Sequence, residues 1–185
     1  MKYLYNRIKK NDLLDCGLLM HLNVNRHFGN NTIDRTSNVY KNMLNFYRTN
    51  DRLYGGRVYK DLLFDINMTK LFGTHVHSTI PKFEESKLNM PIMEYFNENT
   101  QLDIIKQIKH AIDRKNICMV DIITNDFKQV HGLLITKYKK NKLLCVNIPT
   151  VYYKNTHDTF RYCTKYTDTL HQDYKILYAI EIKGE

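Results

Sequence analysis

The chemistry in this chain starts from one cysteine. Leu13-Leu14-Asp15-Cys16-Gly17-Leu18-Leu19-Met20 places a thiol at the opening of an apolar helix. A helix N-terminus carries partial positive charge on its unsatisfied N–H groups, and that charge favours thiolate over thiol. Gly17 leaves room beside the sulfur for a substrate. A thiolate nucleophile needs a base, and the base needs a group that orients it. His131 stands near the start of the apolar run at 130–136, and Asn147 ends the next run, 143–147, beyond a basic turn. If those runs pair as a hairpin, Asn147 returns beside His131. A Cys-His-Asn set then requires only that the helix lay its first turn against that hairpin. Cys16 would attack a carbonyl carbon, His131 would take the thiol proton and pass it to the leaving group, and Asn147 would hold the imidazole. Each residue also has a plainer role. A cysteine at a helix start is commonly a small buried hydrophobe, a strand histidine is commonly structural, and an Asn shortly before Pro149 is an ordinary strand end. Asp15 caps the helix, but its negative charge opposes a lowered thiol pKa.

Other groupings are weaker. His75-Val76-His77, with His21 and His27, could offer imidazoles to a metal, and in a regular strand His75 and His77 would share a face. No cysteine or carboxylate follows at a standard zinc spacing, so no metal and no cofactor are expected. Gly55-Gly56 is a turn signal without the rest of a phosphate loop. Asp61 and Asp65 fall one helical turn apart, but between Lys60 and Lys70 they read as a solvated face.

The elements that must position these residues follow from hydrophobic period. Asp15 can cap a helix that begins near Cys16, carries Leu18, Leu19, Met20, Leu22, Val24 and Phe28, and stops at Gly29. Its apolar residues cover much of the circumference, which predicts a central, buried helix. A second helix is expected from Ser37 with Val39, Met43, Phe46 and Tyr47, a third over 59–71, and a short strand over 74–80. Asn99 or Thr100 opens a helix with Ile104, Ile105, Ile108, Ala111 and Ile112 on one face. Strand-like runs follow at 117–123, 130–136, 143–147 and 174–182. A helical half followed by an antiparallel half is an α+β pattern.

With 185 residues, 43% hydrophobic and 25% charged, the chain is long enough to bury one core and reads as a single domain over 1–185. The longest apolar runs fall well short of the roughly 18 residues that a membrane span needs, and the N-terminus has no secretory h-region. Cys16, Cys118, Cys145 and Cys163 are scattered without a CxxC pair, as expected of reduced thiols in a cytoplasmic compartment. The net charge of +9 predicts weak adhesion to nucleic acid, although only 137–142 is dense in lysine, as a solvated hairpin tip would be. Abundant Asn, Lys, Ile and Tyr with scarce Ala fit an AT-rich coding sequence, as in a large DNA virus, a protist or a low-GC bacterium. If the source is viral, the compartment would be the host cytoplasm. The oligomeric state is not written in the sequence.

The order of these features resembles the C39-like branch of the papain-fold cysteine peptidases. Asp15-Cys16-Gly17 opens the apolar helix, Met119-Val120-Asp121-Ile122 follows, then Val130-His131-Gly132, a polar turn, Asn147-Ile148-Pro149 and Tyr174-Lys175-Ile176-Leu177-Tyr178. Within that branch the chain is most similar to the guanylyl cyclase domain-containing protein family, which has this fold despite its name. The resemblance runs from Asp12 to Ile182 through short motifs. It implies a papain-like α+β domain, a Cys16-His131-Asn147 constellation, hydrolysis of a peptide or amide in a protein or peptide substrate, and oxyanion support from Lys10 or Asn11. Two positions depart from the pattern. Lys10 stands where papain-type enzymes carry Gln, and Ile148 stands where the third member of the C39-like set precedes the proline. These departures raise a second reading, a non-catalytic descendant that uses the fold to bind a protein or nucleic acid, such as a host-interaction protein of a virus or pathogen. Guanylate cyclase activity is a third reading that rests on the family's name alone.

Overall fold

The computed structural model describes residues 15–28, 38, 41–42, 45, 66–67, 69, 75–80, 96–125, 130–149 and 162–184. Helix α1 spans Asp15–His27, strand β1 His75–Ile80, helix α2 Glu98–Asp113, β2 Ile117–Thr124, β3 Val130–Lys139, β4 Lys142–Pro149, β5 Tyr162–Thr167, the short helix α3 Leu170–Asp173, and β6 Tyr174–Lys183. The strands form one six-stranded sheet in the order β1-β6-β2-β3-β4-β5, and every pairing is antiparallel. The chain is therefore α+β, with β1 of the first half joining the edge of the sheet.

Most of these elements follow the hydrophobic pattern. α2 starts slightly earlier than its periodicity suggests because Asn97 is the cap, its Oδ1 accepting from the Thr100 N–H at 2.8 Å. Lys140 and Asn141 adopt positive φ (48° and 64°), the backbone of a tight two-residue turn, and close the β3–β4 hairpin. Strand β5 was not expected, because Tyr162–Thr167 is an edge strand without an apolar run. Of the helix expected from Ser37, positions 38, 41, 42 and 45 are described and helical, while Val39, Met43, Phe46 and Tyr47 lie outside the described residues. Of the helix expected over 59–71, Ile66, Asn67 and Thr69 are helical, and Asp61 and Asp65 lie outside the described residues.

The sheet has two covered faces. On one, Ile104, Ile108 and Ala111 of α2 pack with Cys118, Val120, Ile122, Leu133, Ile135, Leu143, Cys145 and Ala179. On the other, Met20 and Val24 of α1 pack with Met119, Leu134, Val146, Tyr178 and Ile180. Strand residues alternate between faces. Because both faces are buried there, β2 and the first part of β3 read as largely apolar runs with no polar stripe, while Lys137 and Lys139 at the far end of β3 are exposed. At the α2 end of the sheet, buried Glu181 is held by Arg114 in a two-point contact (2.9 and 2.7 Å), by Asn116 at 2.6 Å and by Ser78 at 2.7 Å. That cluster ties β1, β6, the start of β2 and the end of α2 together.

Candidate functional site

Cys16 is the second residue of α1, and the helix begins at Asp15, so Asp15 lies inside its first turn. The direction of α1 follows from two contacts. Met20 lies over Gly132 of β3: a Cβ at Gly132 would stand 2.9 Å from Met20 Cε and 3.0 Å from its Sδ. At the other end, a Cβ on Gly184, just past β6, would stand 2.6 Å from Phe28 Cδ1, and β2 pairs its Ile117-Cys118 start with Ile182 of β6 on one side and Ile135 of β3 on the other. The helix therefore runs along β3 in the same sense, and its first turn lies toward the Val130 end of that strand. At the level of elements, the helix that opens with Cys16 and the strand that opens with Val130-His131 begin at the same end of the sheet.

The two faces of β3 then decide what His131 meets. Gly132 and Leu134 lie on the α1 face, under Met20 and in its core. Leu133 and Ile135 lie on the α2 face. His131 shares the parity of Leu133 and Ile135, and its cross-strand partner is Ile122, also in the α2 core. Directly opposed residues of an antiparallel pair project to the same side. His131, 6% exposed, therefore belongs to the α2 face, across the sheet from α1. The residue that meets the helix is Gly132.

The hairpin expected from sequence is present, but its pairing places Leu134 opposite Val146 and reaches no further toward His131. Asn147 follows in β4, and Ile148 pairs with Cys163 of β5 after an irregularity. The side chains of Cys16 and Asn147 lie outside the described residues, as do Lys10 and Asn11. In β1, His77 is an extra residue between Val76 and Ser78, so regular alternation does not hold and the shared-face argument for His75 and His77 lapses. Among the described residues, no three His, Cys, Asp or Glu side chains gather as a metal site would require.

One polar feature under α1 was not singled out from sequence. Asp121 is fully buried on the α1 face, with Oδ1 3.3 Å from the position a Cβ on Gly132 would take. Its Oδ2 accepts a hydrogen bond from the Tyr178 hydroxyl at 2.9 Å. A bulge makes that contact: the register of β2 against β6 shifts between Asp121 and Ile122, leaving Leu177 as the extra residue. Gln101 of α2 secures the bulge, its Nε2 donating to the Ile176 carbonyl at 3.0 Å and its Oε1 accepting from the Ile176 N–H at 2.7 Å. The signal for Asp121 was available, since a carboxylate inside Ile117-Cys118-Met119-Val120-Asp121-Ile122-Ile123 must be paired if that run is buried. Cys118 and Cys145 are buried free thiols. Burial, then the charge of Glu181, pushes the Cys118 thiol far above its ordinary range, which leaves it inert.

No known protein family matches the chain, and neither does any curated protein.

Proposed function

We propose that the chain is a binding domain on a C39-like, papain-related scaffold, and that it does not turn over amide bonds. The likeness is supported by the ordered motifs and by the helix that opens at Asp15-Cys16-Gly17 and runs along β3 from its Val130 end. The observation that carries the loss of turnover is the parity of β3. His131 shares the α2 face with Leu133 and Ile135, while α1 covers the opposite face at Gly132. General-base transfer needs hydrogen-bond reach, and an imidazole on the α2 face is turned away from the helix that carries Cys16. Ile148 at the third position and Lys10 at the oxyanion position point the same way, since neither supplies the amide that hydrolysis uses there.

The reading is tested by turnover. A fluorogenic peptide-amide library incubated with the intact chain and with Cys16→Ser is expected to show no release that depends on Cys16. Cys16-dependent release from any member of the library would establish the hydrolase reading in its place.

A further inference from the structure

At the tip of the β3–β4 hairpin the α1 face of the sheet carries a sided set of residues, most of them exposed. Lys137 pairs with Leu144, Leu144 pairs with Tyr166 of β5, and Lys139 pairs with Lys142. Leu143 and Tyr138 turn to the other face, Leu143 into the α2 core and Tyr138 to Asp113 of α2 through a 2.7 Å hydrogen bond. The register of β3 against β4 shifts between Ile135 and Lys137, so the odd-numbered residues of β3 change face there, and Lys137, Lys139, Lys142, Leu144 and Tyr166 share the α1 face. Lys137, Lys139 and Lys142 are exposed, Leu144 is half-buried and Tyr166 is 44% exposed. Lys142 has a loose surface contact with Asp168 at 3.7 Å, which an incoming anion can replace.

We infer that this face of the β3–β4–β5 tip binds single-stranded nucleic acid, its lysines on the phosphates and a base stacked on Tyr166. The chemistry is that of a cationic platform with an exposed ring: phosphate contacts supply affinity, and an aromatic face accepts any base. Complementarity is set by three exposed lysines on one side of one hairpin, in a chain whose net charge is +9. Lysines alone would suit any polyanion. An exposed tyrosine in the same cross-strand row is what a base uses and an acidic peptide does not need. The inference deepens the reading of the chain as a binder by naming its partner class and the surface.

The test is fluorescence anisotropy with labelled oligo(U) and oligo(dT) of about 12 nucleotides, within the span such sites cover. Three phosphate contacts predict that affinity falls about 20-fold between 50 and 200 mM salt. Tyr166→Leu is expected to weaken binding about 5- to 100-fold, the range for losing one stacked base, without changing the salt dependence. Replacing Lys137, Lys139 and Lys142 together by Gln is expected to remove most of the salt dependence. Replacing Lys106, Lys115 and Lys183 by Gln removes the same charge elsewhere and is expected to leave both properties in place. Binding to either oligonucleotide with these dependences supports the inference, and the tighter of the two identifies the sugar. No binding, a Tyr166→Leu variant that binds as the parent does, or equal displacement by a poly-glutamate peptide overturns it. Cys16-dependent amide hydrolysis would defeat the non-catalytic reading, while the Tyr166 comparison would still decide this one.

Discussion

Glu181 shows how one buried side chain is kept charged in an apolar setting. Burial alone would raise its pKa, but the hydrogen bonds from Arg114, Ser78 and Asn116 outweigh it and hold the carboxyl at about 2, below its reference of 4.5. A carboxylate whose folded pKa is depressed contributes stability that is complete above the unfolded value and is lost as pH falls toward the folded one. The Glu181 contribution is therefore expected to be full above pH 4.5 and to fade between there and about pH 2. Thermal unfolding of the parent and of Glu181→Gln across that window checks it. At neutral pH the variant should be less stable by about 3 kcal/mol, the low end of the range for breaking a buried pair because Arg114 is half exposed. As the solution is acidified the two melting curves should converge, and a constant gap would show that the carboxylate is not what ties the four elements together.

Helix α1 and strand β3 meet through the absence of a side chain at Gly132. Adding a methyl group there drives it to within 2.9 Å of Met20 Cε, closer than carbon atoms pack. Because the nearest atoms it meets are the flexible end of Met20 rather than backbone, Gly132→Ala is expected to destabilise the chain by about 1 kcal/mol, the low end of the cost of overpacking. Met20→Ala opens a hole and is expected to cost about 2–5 kcal/mol. Since the methionine terminus is what the new methyl meets, the double variant should be more stable than the sum of the two losses, as residues in contact are not additive. Denaturant titration of the four proteins measures this, and strict additivity would mean that α1 does not lie on Gly132. This contact also marks the limit of what the sequence could say about the site. The strands at 117–123, 130–136, 143–147 and 174–182 were legible from their apolar runs, and the hairpin from its basic turn. Val130-His131-Gly132-Leu133-Leu134-Ile135 is buried on both sides, so its pattern carries no alternation from which to read the face of His131. Only the seating of Met20 on Gly132 fixes it. β5 escaped notice for the opposite reason, an edge strand of tyrosine, threonine and lysine with no apolar run.

At the scale of the molecule, a six-stranded antiparallel sheet keeps α1 and α2 apart, and with them the thiol-bearing helix and the imidazole. The α+β class was legible because its apolar runs change period midway along the chain. The face of His131 was not, because it depends on which side of one strand a single residue points. No helix among the described residues is long and apolar enough to cross a membrane. Lys137, Lys139 and Lys142 are instead exposed on one face of the sheet together with Tyr166 of β5, and that is the surface the proposed binding would use. Whether thiol and imidazole stand apart, as the proposed function requires, is read most directly by alkylation of the folded chain with iodoacetamide at pH 6, each cysteine followed by mass spectrometry, with and without His131→Ala. Cys118 and Cys145 are buried and should stay unlabelled. Cys16 is expected to react slowly and at the same rate in both proteins. Rapid labelling of Cys16 that disappears in His131→Ala would put the imidazole beside the thiol and contradict the account.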